Sequence, residues 1–186
     1  MTTDIGSITL ADLVLLEDDL FIRARCSADH LGVRRQREHT ITGLDAAMNR
    51  LRDRGAHPAD PLAAMLLVGI TDVVTRDLAT VVTDVELAQR FWLDLATRAP
   101  SGYAAPPWAI RAILSWQLGD RRSALRDAWA ALEDNADYTM AQYVVTACRH
   151  HVPMPEEWTD GSVERRRGRL SGEAAARMTK RHALEE

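Results

Sequence analysis

Apolar residues recur along the chain at three- and four-residue intervals, the spacing that lines one face of a helix. The clearest stripe is Leu62, Met65, Leu66, Ile70, Val73, Val74, Leu78 and Val81. Asp60-Pro61 stands before it, an N-cap candidate followed by a proline suited to a first helical turn. One helix from there to about Val81 is expected. Asp84 caps a second, striped by Leu87, Phe91, Trp92 and Leu95 and broken at Ala99-Pro100-Ser101-Gly102. Pro106-Pro107 opens a third, which runs to Leu118 and is closed by Gly119. Further helices are expected over roughly Arg122 to Glu133 and from Tyr138 to just before Pro153. Upstream, Leu44, Ala47, Met48 and Leu51 make a helix that Gly55 stops, with Thr42 as its cap. Ala11 to Leu20 contains neither glycine nor proline and also favours helix. No run alternates apolar with polar between hairpin signals. The expected fold is all-α, a bundle or short superhelix of about six or seven helices.

Composition adds boundaries. The chain has 186 residues, 46% hydrophobic and 27% charged, which suits one packed core rather than wholesale disorder. Up to Trp158 there are 16 basic and 22 acidic residues, a net of −6; from Thr159 there are 7 and 5, a net of +2. A helical domain over 1–158 and a basic, flexible tail over 159–186 are therefore expected. Two cysteines, Cys26 and Cys148, suit a reducing compartment better than a stapled secreted scaffold. With no leader pattern and no apolar run of membrane length, a cytoplasmic protein is expected. Of the 23 basic residues only Lys180 is a lysine, the imprint of GC-rich codons rather than of folding.

Small residues are regularly placed between Trp108 and Tyr138. Trp108 and Ala112 share a face, Gly119-Asp120 turns the chain, and Ala124, Ala128 and Ala131 line the next helix. Alanine at that spacing lets two helices approach closely. The segment resembles a tetratricopeptide hairpin, with Ala136 where such repeats usually end in proline; an ordinary helical pair fits the same residues. A wider resemblance runs from about Leu66 to Trp158. It is carried by Leu67-Val-Gly-Ile-Thr-Asp-Val, Arg76-Asp77, Phe91-Trp92 with Leu95-Ala96 and Arg98-Ala99-Pro100, and Ala105-Pro106. It continues through Ser115-Trp116, Leu118-Gly119-Asp120, Ala131-Leu132 and Asp137-Tyr138-Thr139-Met140-Ala141. These residues resemble the C-terminal helical part of an actinobacterial family, domain of unknown function 4192. The resemblance implies an actinobacterial or actinophage origin and no particular activity. Asn135-Ala136 departs from that family's usual Asp-Pro, and the first sixty or so residues are left without a counterpart.

Candidate chemistry is sparse. There is no phosphate loop, no nucleophile elbow and no His-Glu-x-x-His. Glu17-Asp18-Asp19 and Glu156-Glu157 read as solvated faces. Cys26 with His30, and Cys148 with His150 and His151, could supply zinc ligands from two helices, but neither half has a Cys-x-x-Cys spacing. No metal, cofactor or enzymatic activity is expected. Ser27 to His39 resembles the second half of a helix-turn-helix, with its turn at Gly32. Arg34, Arg35 and Arg37 would then face DNA, aided by Arg165, Arg166 and Arg167 in the tail. The acidic net charge of −4 argues against that role. The preferred reading is a non-enzymatic interaction module, an adaptor or regulator whose partner is another protein. On the tetratricopeptide-like geometry, Trp116 and Gln117 lie towards the concave side of one helix, and Tyr143 and His150 on the next. Trp92 and Trp108 are expected in the core, and Trp158 to pin Pro153 to Glu157 onto the bundle. Nucleic acid is the alternative partner, a membrane is not, and nothing opposes self-association.

Overall fold

The computed structural model describes residues 8–26 and 30–155. Trp158 and Arg165, Arg166 and Arg167 lie outside them, as does the whole of the expected tail. The described residues form eight helices and no strand: α1 (Leu10–Cys26), α2 (His30–Arg54), α3 (Asp60–Gly69), α4 (Val73–Ala79), α5 (Val85–Arg98), α6 (Ala105–Gln117), α7 (Arg121–Asp134) and α8 (Thr139–Arg149). The all-α expectation holds.

Two core clusters share α6. Ile110 and Leu114 point into the first, built by α1, α2, α3 and α5 around Leu66, Leu67, Phe91 and Trp92. Ala109, Ala112, Ile113 and Trp116 point into the second, with α7 and α8. A helix packed on both sides is apolar all round, which is why Arg111 is the one charged residue in α6. The α6–α7 pair is the most extensively packed in the molecule. Ala124, Ala128 and Ala131 are fully buried in it, so the backbones approach as the alanine spacing predicts.

Gly119-Asp120 closes α6 and opens α7 in two residues. Gly119, at φ +75°, takes the left-handed conformation. Its N–H donates to the Trp116 carbonyl, and that of Asp120 to the Ser115 carbonyl, the paired bonds of a Schellman end. The Asp120 carboxylate then accepts the Ser123 N–H at 3.0 Å and caps α7. At the end of α8 the same pair of bonds recurs with His151 at φ 55°, a left-handed residue that is not glycine.

Three local expectations are corrected. The stripe from Leu62 to Val81 is two helices, because the Asp72 carboxylate accepts the N–H groups of Val74 (3.1 Å) and Thr75 (3.2 Å) and starts α4 afresh. Asp60 is the first residue of α3, not its cap; Ala59 holds that position and Asp60 pairs with Arg98. The helix expected from Thr42 starts at His30, and both Gly32 and Thr42 lie inside it. Buried Thr40, its hydroxyl donating to the Gln36 carbonyl, packs there against Gly69. A Cβ on Gly69 would collide with that side chain, so glycine sets how closely α2 and α3 cross.

Candidate interaction surface on the α6–α8 face

The second core ends in a clasp. Trp116, 3% exposed, donates its indole N–H to the Val152 carbonyl at 3.2 Å. Arg121, on the first turn of α7, donates to Nδ1 of His151 at 2.7 Å and to its carbonyl at 3.3 Å. Together these bonds return the chain after α8 across the ends of α6 and α7. Met154 is buried in the same cluster; Trp158, expected to pin this segment, lies outside the described residues.

On this face the sequence-predicted residues separate. Trp116 is core, not surface, because its indole is consumed by the clasp. Tyr143 is 54% exposed and sits edge-on against Trp116, ring centres 5.8 Å apart. Gln117 reaches back to the Thr80 carbonyl at 3.4 Å, tying α6 to the α4–α5 connection. His150 is exposed at the last turn of α8. Leu118 and Val152 are also exposed, and beside them lies a cleft of about 360 Å³ bounded by Trp116, Arg121 and Met154. Exposed Trp129, with the Arg149 guanidinium 5.2 Å from its ring centre, escaped the sequence reading. Trp92 is fully buried as expected; Trp108 is only partly so, with Arg111 5.6 Å from its ring centre.

The basic residues on α2 do not form one presented set. Arg37 is turned inward and binds Asp72 through two bonds of 2.9 and 2.7 Å. Arg34 pairs with Glu38 four residues on, and Arg35 is exposed. The turn expected at Gly32 is helix. Burial pushes the Asp72 carboxyl up. The Arg37 hydrogen bond and charge, with the N–H groups of Thr75 and Val74, outweigh that and hold it below the ordinary value.

Other polar contacts are structural. Asp134, at the end of α7, accepts the N–H groups of Gly102 (2.7 Å), Ala104 (3.0 Å) and Ala105 (2.8 Å). It thereby supplies the cap that the α6 N-terminus lacks on its own side chains. Tyr103 lies against Asp18 of α1; burial, then that hydrogen bond and charge, push its phenol up to about 12. Fully buried Asp127 bonds Arg111 at 3.0 Å and Arg126 at 2.9 Å. Burial pushes the Cys148 thiol up, against the pull of Arg121. Among the described residues no three histidine, cysteine or carboxylate side chains converge as metal ligands. No helix among them is long and apolar enough to cross a membrane.

No curated protein and no solved structure matches the chain. A family does, over residues 16–155, which extends well upstream of Leu66 to take in all of α2 and part of α1. The segment before α3 therefore has a counterpart, contrary to the narrower resemblance read from the sequence. Spanning three quarters of its length, the match shows that the chain belongs to the family described as a domain of unknown function, DUF4192.

Proposed function

We propose that the chain is a non-enzymatic interaction module, an adaptor or regulator that binds a partner protein through the α6–α8 face. The observation that carries this reading is Tyr143. It is a half-exposed aromatic held edge-on against Trp116, a buried tryptophan that also lines the neighbouring cleft. A rigid aromatic anchor gives contact area at low entropic cost, and such residues dominate binding energy at interfaces. Gln117 and the Arg121–His151 pair fix the backbone around it, so little ordering remains to oppose association. The inward pairing of Arg37 with Asp72 favours this reading over nucleic-acid binding.

A photo-crosslinking residue placed at position 143, and separately at 129, tests the proposal in lysate from the cells of origin, with and without nuclease. The expected result is a discrete protein adduct at 143 that survives nuclease and is absent at 129. Adducts equal at both positions, or lost on nuclease treatment, would overturn it. So would turnover of a small substrate abolished by one point substitution.

A further inference from the structure

Helix α1 carries apolar residues on both sides but is packed on one. Val14 and Phe21 are buried in the first core, where α1 meets α3 and α2, with Leu10 and Leu13 partly covered beside them. On the outer side Leu15, Leu16, Leu20 and Ile22, with Ile8 just before the helix, are each more than half exposed. These five are nearly half of the eleven large apolar side chains that the described residues leave exposed, so the patch is a concentration rather than scatter. A helix that is apolar all round is normally covered all round. The two cores cover α6 in that way; the outer side of α1 stays open.

We propose that this face pairs with the same face of a second copy of the chain, the two α1 helices running antiparallel. Charge selects both the occupant and the direction. Asp12 and Arg23 are eleven residues apart, about three turns, so they share the outer side at opposite ends of the apolar stretch. The Thr9 hydroxyl, then its N–H, hold the Asp12 carboxyl below its ordinary value, so it is charged at neutral pH. Antiparallel pairing sets Asp12 of each chain near the partner's Arg23, twice by symmetry, whereas parallel pairing sets acid beside acid. Asp19, in the middle of the face, is answered within the helix by Arg23 at 2.6 Å. The five donors of a guanidinium let Arg23 keep that bond and meet a second carboxylate. Residues 159–186 are a poorer match, because Val163, Leu170, Met178 and Leu184 are their only large apolar side chains and are widely spaced. The pairing uses none of the residues named on the α6–α8 face, so its failure would leave the protein-binding reading untouched.

Sedimentation velocity of the full chain, from about 1 to 200 μM, tests the proposal. One 17-residue helix on each side makes a small interface of the transient class, so a monomer–dimer equilibrium with Kd about 10 μM is expected. Leu16→Glu buries an unpaired carboxylate twice in each dimer and should raise Kd about 100-fold. Leu15→Gln, at the most exposed large apolar residue of α1, should raise it about tenfold and serves if Leu16→Glu fails to fold. Val73→Glu, at an exposed apolar position on α4, should leave Kd in place. Arg23→Glu sets acid against the partner's Asp12 and should weaken the dimer about tenfold; added salt should then tighten that variant while loosening the wild type. A chain that stays monomeric at about 200 μM overturns the proposal, whether the face is then bare or covered by residues 159–186. So does a dimer that Leu16→Glu and Leu15→Gln both leave intact, or one that Arg23→Glu leaves equally tight.

Discussion

At Asp72 one carboxylate holds Arg37 on α2 and opens α4, and substitution can separate the two roles. Asparagine is as good a helix cap as aspartate, so Asp72→Asn removes the ion pair and keeps the cap. Because Asp72 is 6% exposed and the Arg37 side chain 20%, the variant should lose about 3 kcal/mol in urea unfolding. Asp72→Ala should lose about 1 kcal/mol more, the usual worth of a cap. The pH dependence has a definite sign. A carboxyl held below its ordinary value of 3.8 adds stability that is present above that pH and lost as pH falls through the folded-state value. Wild type should therefore weaken more steeply than Asp72→Asn below about pH 4. Equal slopes would mean that the Asp72 carboxyl is not held below its ordinary value. None of this was legible in the sequence, where Arg34, Arg35 and Arg37 looked like one basic face. Arg34 and Arg35 are separated by about 100° around a helix. Which of the three turns inward depended on an acid 35 residues away.

Helices α5 to α8 were legible almost to the residue because their signals are local. Asp84 caps, Pro106 and Pro107 start, and Gly119 and Asp120 stop and restart the chain, as their side-chain chemistry dictates. The stretch Arg34 to Thr40 defeated the same method. Its inward positions are Arg37 and Thr40, so a search for apolar periodicity began the helix only at Leu44, well after His30. A similar blind spot hid the cap of α6. Pro106 and Pro107 have no N–H, which leaves Ala104 and Ala105 as the donors in need of partners, and these are met by Asp134 from the far end of α7. No sequence rule links residues 29 and 30 positions apart. Asp134→Ala leaves three backbone donors without their carboxylate and should cost about 2–3 kcal/mol. Asp134→Asn keeps one oxygen and should cost roughly half as much. Amide exchange at Gly102, Ala104 and Ala105 should accelerate in both variants while the middle of α5 stays protected. Unchanged exchange at these amides would show that the carboxylate does not cap α6.

Over the whole molecule, the expectation of a single helical bundle is met by two clusters that have α6 in common. Of the residues named for the protein-binding face, Tyr143 and His150 are exposed while Trp116 is buried. The aromatic spacing was visible in sequence, but the Val152 carbonyl that claims the Trp116 indole was not. Sharing one helix has a consequence for cooperativity. Ile110 and Leu114 lie in the first core, whereas Ile113 and Trp116, on the same two turns, lie in the second. A loss of order in α6 on one side therefore removes the support on the other. Ile110→Ala, at a fully buried position, should cost about 3 kcal/mol, the range for truncating a core isoleucine. In a chain of this size that lowers Tm by about 10 °C. The discriminating measurement is the indole resonances of Trp92 and Trp116 followed together on heating. If α6 couples the clusters, both midpoints fall by the same amount, although Ile110 belongs only to the cluster of Trp92. A shift confined to Trp92 would make the two clusters separate folding units. The α6–α8 face would then have to hold its shape without help from the first five helices.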